Sequence, residues 1–164
     1  MRISKFIAAA GISLVACGPS LADTPLPHQK PGLWDSTMTM MGKPFTTQSC
    51  VTPDSEAKMS IFSSQLRQNN CSSSSITHDM DGSWTSTSTC KFGQNMRTSH
   101  AHVTGDFNSK ITMVLSHDDS TPATTLTMTW VGACKPGMKG GDVIMSNGMK
   151  MNALDGTMSG APSH

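Results

Sequence analysis

The sequence predicts a mainly β fold: an antiparallel meander of about seven strands, curved or barrel-like, with one helix packed on it and two disulfides. Three observations carry this. Charged residues make up only 14% of the 164 residues, so Ser and Thr supply most of the polarity, and Thr suits a pleated surface. Apolar and polar residues alternate with period two in short stretches punctuated by Gly, Asp, Asn and Pro. Past the N-terminal segment stand four cysteines, Cys50, Cys71, Cys90 and Cys134, an even number of the kind that makes a disulfide framework.

The elements follow in order. Leu33 to Met40 and Pro44 to Val51 flank Met41-Gly42-Lys43 as a hairpin, with Trp34, Met38 and Met40 on one face. Thr52 to Glu56 opens the helix. Thr52 caps it, Pro53 suits the first position, and Asp54 and Glu56 complement the N-terminal dipole. Met59, Phe62 and Leu66 fall at helical spacing, so the helix is expected over Pro53 to Arg67, ending near Gln68-Asn69-Asn70. Ser72 to Asp79 and Ser83 to Phe92 flank Asp81-Gly82, a hairpin signal. Met96 to Thr104 and Phe107 to His117 follow, joined at Gly105-Asp106, with Phe107, Ile111, Met113 and Leu115 as an apolar stripe. After the polar loop from His117 to Pro122, Thr124 to Val131 is a strand with Leu126, Met128 and Trp130 inward. Asp142 to Met145 adds a short strand at most.

Strand direction narrows the disulfide connectivity. Cys71 and Cys90 belong at one end of the sheet and Cys134 at the other, about 20 Å away, whereas bonded cysteines need Cα atoms within roughly 7 Å. This leaves Cys71–Cys90 and Cys50–Cys134, provided the helix carries the chain back across the sheet. A strict two-residue turn at Asp81-Gly82 sets Cys71 two positions off Cys90, so a longer turn is required. A zinc site is the weaker alternative, because the spacings 21, 19 and 44 contain no C-x-x-C pair.

The N-terminus reads as an export signal. Arg2 and Lys5 precede an uncharged apolar run from Phe6 to Ala16, too short for a membrane span of about 20 residues. Two processing routes fit. Cleavage after Ser20-Leu21-Ala22 frees a protein that starts at Asp23. Leu14-Val15-Ala16-Cys17 instead resembles a lipobox, which would acylate Cys17 and tether the chain to a membrane. Either route implies the periplasm. The expected organisation is a signal over 1–22 (or 1–16 in the lipoprotein), a linker over 23–30, one β-rich domain over 31–152 and a disordered tail over 153–164. Removing Arg2 and Lys5 lowers the formal charge from +1 to −1, and there is no basic stripe for nucleic acid.

Lys30-Pro31-Gly32-Leu33-Trp34, then Cys50-Val51-Thr52-Pro53, then Trp130-Val131-Gly132-Ala133-Cys134 occur in an order that resembles a bacterial exported family, domain of unknown function 3617. The likeness runs from about Lys30 to Asn152. It implies an exported envelope protein and brings no activity, ligand or catalytic residue.

No H-E-x-x-H, G-x-S-x-G or phosphate-cradling glycine loop is present, and no cofactor is indicated. Glu56, the one glutamate, fits a helix start, and Asp118-Asp119 fits a solvated loop. The leading expectation is therefore a noncatalytic envelope protein that binds a small apolar ligand or a protein partner. Trp34, Trp84, Trp130 and Phe107 are candidate lining or simple core. Scattered Ser, His and Asp converging on an unrecognised active site is a third possibility.

Fourteen methionines supply the rival reading. Met38, Met40 and Met41 cluster early, and Met138, Met145, Met149, Met151 and Met158 crowd the tail. Their thioethers, with His100 and His102, are ligands suited to Cu(I), with Met149 and Met151 the positions to test. Met38, Met113 and Met128 fall on apolar stripes, where Met serves to fill gaps in a core.

Overall fold

The computed structural model describes residues 25–40, 42–62, 71–118 and 122–160. Its strands are β1 (Gly32–Met40), β2 (Lys43–Val51), β3 (Cys71–His78), β4 (Trp84–Phe92), β5 (Asn95–Gly105), β6 (Lys110–His117), β7 (Thr124–Gly132), β8 (Asp142–Met145), β9 (Lys150–Asn152) and β10 (Met158–Ser159). They form one antiparallel sheet in the order β10-β9-β8-β2-β1-β7-β6-β5-β4-β3. The meander from β3 to β7 is as expected. The sheet has ten strands rather than seven, and it is open rather than barrel-like, with β10 and β3 as its edges.

The helix, α1 (Pro53–Met59), begins as the sequence predicts. Ser55 N–H donates to Thr52 Oγ1 at 3.3 Å and Thr52 N–H to Ser55 Oγ at 2.8 Å, a reciprocal cap. It ends earlier than expected, at Met59 with Ser60 in an extended conformation. Phe62, expected on the helix, reaches the core from a turn, and Leu66 lies outside the described residues. At 1.5 Å per residue α1 spans about 10 Å, so it makes only part of the crossing from β2 toward β3.

Side chains alternate between two faces of different character. On the inner face one row runs across seven strands: Phe45, Met38, Leu126, Met113, Val103, Trp84 and His78, each opposite the next. On the outer face Thr46, Thr37, Thr127, Thr112 and Thr104 stand opposite one another across five strands. A solvated face of β-branched hydroxyls is what a sheet with few charges can present to water.

The core forms where the inner face is covered. Trp34, Phe62, Trp84, Val103, Phe107, Ile111 and Met128 are buried together, with Leu26, Ile61 and Met113 packed against them. Phe62 lies 5.8 Å from the Trp84 ring and 6.5 Å from the Phe107 ring. Phe107 was expected inside a strand; it sits instead in the β5–β6 turn with φ 58°, and it still points inward.

Two terminal expectations change. Residues 25–30, expected within a linker, lie against the core: Leu26 packs there and Lys30 N–H donates to Phe107 O at 2.8 Å. The tail expected to be disordered from 153 is hydrogen-bonded to the sheet within the described residues, 153–160. Asn152 N–H bonds Thr157 O at 2.8 Å, and Met158 pairs with Met151. Strands of three and two residues are too short to show a period in sequence.

Candidate functional site

Both expected disulfides are present. Cys50–Cys134 spans a Cα–Cα distance of 5.3 Å and joins the end of β2 to the chain just after β7. Cys71–Cys90 joins the edge strand β3 to β4. The register difficulty is solved in two steps. The turn is three residues, Met80-Asp81-Gly82, with Asp79 N–H bonded to Ser83 O at 2.8 Å. A bulge between Cys71 and Ser73 supplies the last one-residue shift.

At the Cys50–Cys134 end of the sheet, two sequence-distant segments interlock. Trp34 Nε1–H donates to Lys30 O at 2.8 Å, and Trp130 Nε1–H donates to Pro31 O at 3.1 Å. The Lys30 ammonium lies 3.6 Å from the centre of the Trp130 ring. Gly32 sits between them with φ 138°. A Cβ there would lie 2.3 Å from both Gly132 O and Trp130 Nε1, so no other residue fits without moving the clasp. Glu56 fastens the preceding segment: His28 Nδ1 is 2.9 Å from its Oε2, and Gln29 N–H points at Oε1 at 3.5 Å.

This clasp is built from Lys30-Pro31-Gly32-Leu33-Trp34 and Trp130-Val131-Gly132, and its neighbour Cys50 bonds Cys134. The family model for "Protein of unknown function (DUF3617)" matches residues 29–134, well over half of the chain. The chain belongs to the DUF3617 family. No curated protein and no solved structure matches it significantly. The family match ends at Cys134, so β8, β9 and β10 lie beyond it.

The aromatic candidates for ligand lining have separate fates. Trp34, Trp84 and Phe107 are buried in the core, Trp34 completely, while half-buried Trp130 belongs to the clasp. Beyond them the inner-face row is progressively less covered, with Met113 and Leu126 still packed against the core. Leu126, Met113 and Met38 are half-buried, and Phe45 at its end is 47% exposed. Leu115, next to Met113 on the same face of β6, extends the surface. Sequence reading missed Phe45 and its row, because opposition across four strands is set by register and not by spacing along the chain. Beside α1 lies a cavity of about 150 Å³ lined by Cys50, Val51, Glu56, Ile61 and Met128, below the 300 Å³ or so that a typical ligand pocket needs.

The outer face carries polar groups. Thr87 Oγ1 is 3.2 Å from His100 Nδ1, and His100 Nε2 is 2.7 Å from Asp118 Oδ1. Asp119 lies outside the described residues. This hydroxyl–imidazole–carboxylate row resembles a nucleophile relay in composition, but His100 is 42% and Asp118 64% exposed on a face of solvated hydroxyls. An outer cleft of about 400 Å³ is lined by Asp35, Thr37, Thr46, Gln48 and Ile144. In it Gln48 donates to Asp35 Oδ1 at 2.7 Å and accepts from Lys135.

Register separates the ligands of the Cu(I) reading. His100 and His102 stand on the outer face, opposite Thr87 and Thr85. Met113 and Met128 are on the inner face and pack with the core, as gap-filling predicts. Met38, Met145 and Met151 share that face by alternation and pairing. Met138 lies in the loop after Cys134, Met41 and Cys17 lie outside the described residues, and Met40 is placed by its backbone alone. Among the described residues no group of three or more His, Cys, Asp or Glu side chains is placed to hold a metal ion, and no helix is long and apolar enough to cross a membrane.

Proposed function

We propose that this chain is an exported, noncatalytic binding protein that holds one hydrocarbon chain of a lipid-like ligand along the open half of the inner-face row. The observation that supports it is the continuity of that row: Trp84 and Val103 are buried in the core with Phe62, while Met113, Leu126, Met38 and Phe45 extend it outward to an exposed aromatic end. The members of the row are uncharged and apolar, which suits an acyl chain. Two of its members are methionines, whose unbranched thioethers adapt to a flexible ligand. The noncatalytic part of the reading rests on the openness of the Thr87–His100–Asp118 row, since electrostatic catalysis relies on sites from which water is excluded.

Fluorescence titration of the purified protein with a long-chain fatty-acid analogue tests this. Affinity should rise with chain length, each buried methylene contributing about 0.8 kcal/mol. Phe45→Glu should weaken binding roughly tenfold, about 1.4 kcal/mol, whereas Thr37→Ala on the outer face should leave it unchanged. Equal binding by Phe45→Glu, or no dependence on chain length, would overturn the proposal.

A further inference from the structure

We propose that the β8–β10 unit carries a thioether site for Cu(I), formed by Met145, Met149, Met151 and Met158. Register brings them together. Met145 N–H bonds Met149 O at 2.8 Å across the Ser146-Asn147-Gly148 turn, so these two residues stand opposite each other. Val143 pairs with Met151, and Met151 with Met158. Alternation along β8 puts Met145 on the face of Val143, and alternation along the next strand puts Met149 on the face of Met151. All four thioethers therefore project to the inner face from three adjacent strands, with Met149 and Met151 central.

The spacing suits a small soft ion. Directly opposed residues have Cβ atoms about 5 Å apart, and a methionine sulfur lies far enough along its side chain for neighbouring sulfurs to converge. Gly160 leaves the remaining corner without a side chain; a Cβ there would already lie 3.3 Å from Gly148 O. Neutral thioethers select a soft monovalent ion such as Cu(I) over Zn²⁺, Mg²⁺ or Ca²⁺.

Core packing does not account for this group. Met113 and Met128 belong to the core or pack against it, but none of the four does. Met145, Met149 and Met151 are half-buried and Met158 is 58% exposed, so an ion can reach them. The opposite face of the same unit is tied together by its own hydrogen bonds. Asp142 accepts from Lys139 N–H at 2.8 Å, Asn152 Nδ2 at 2.8 Å and Lys150 Nζ at 3.1 Å, which holds the strands in register beneath the thioethers.

The site is separable from the apolar row by chemistry. Methionine to leucine keeps size and apolarity and removes the sulfur. Cu(I) should be titrated anaerobically into the full chain in competition with a chromogenic Cu(I) chelator. The wild type should take up one Cu(I) per chain, and Met149→Leu/Met151→Leu should lose affinity roughly tenfold or more while binding the fatty-acid probe as before. His100→Ala/His102→Ala should bind Cu(I) like the wild type. As a second readout, Ag(I) should shift the methyl resonances of Met145, Met149, Met151 and Met158 and leave those of Met113 and Met128 in place. Failure of the wild type to take Cu(I) from the chelator, unchanged affinity in the leucine variant, or shifts spread over all methionines would overturn the site.

Discussion

Cys50 closes a loop with a partner 84 residues away, while Cys71 reaches only 19 residues to Cys90. The entropy removed from the unfolded chain grows with the loop, so the first bond should contribute about 4–5 kcal/mol and the second about 3. Replacing both members of each pair by alanine and measuring urea unfolding should therefore show the greater loss for Cys50/Cys134; a larger loss for Cys71/Cys90 would contradict this order. The pairing could be worked out from strand direction, because alternating antiparallel strands decide which ends meet. The bulge after Cys71 could not, since nothing in Cys71-Ser72-Ser73 marks it. Gly32 shows another limit. Its place beside Trp34 in a short motif is visible, but its reason is a carbonyl and an indole about 100 residues onward, Gly132 O and Trp130 Nε1.

Among the elements, α1 was readable at its start and not at its end. Thr52 and Pro53 act within a single turn, so their chemistry is local. Beyond Met59 the helical spacing of Phe62 persists by position only, since tertiary packing against Trp84 and Phe107 fixes that ring from a turn. The β8–β9 hairpin makes a pH prediction. Burial works against the Asp142 charge, but hydrogen bonds from Lys139, Asn152 and Lys150 and the Lys150 charge outweigh it and hold the carboxyl below the ordinary aspartate value. A depressed native pKa means that this stabilisation is complete above the unfolded value of about 3.9 and is lost as pH falls through the native one. Amide exchange at Ile144 and Lys150 should therefore accelerate relative to β5 as pH drops below about 4, after correction for intrinsic exchange. Asp142→Asn should abolish that pH dependence; its persistence in the variant would show another group to be responsible.

At the scale of the whole molecule, the sheet is an open layer with one face given to water and the other shared between a sealed core and an open apolar row. Export and anchoring belong to this scale, because they decide where that row is displayed. We propose export, with Cys17 and Ala22 marking the two routes of processing. Fractionation of cells expressing the wild type and Cys17→Ser tests them: a lipoprotein should move from the membrane to the soluble fraction, and a protein cleaved after Ala22 should stay soluble in both. Each buried methylene of an acyl anchor contributes about 0.8 kcal/mol, so a doubly acylated chain should not wash off in salt. Recovery of the wild type in the cytoplasm with Met1 in place would refute export by either route.

By itself the sequence determined most of the strands, the start of α1, the disulfide pairing and the family. The strands and the cap depend on alternation and hydroxyl placement between near neighbours, the pairing on the direction of successive strands, and the family on the order of short motifs. Only the tertiary structure decided that the sheet stays open, that residues 25–30 lie on the core, that β9 and β10 follow β8 on the β2 edge, and that His100 and His102 stand on the face opposite Met38, Met113 and Met128. Each of those outcomes turns on the register between strands far apart in sequence. A shift of one residue there exchanges the two faces without changing any local pattern.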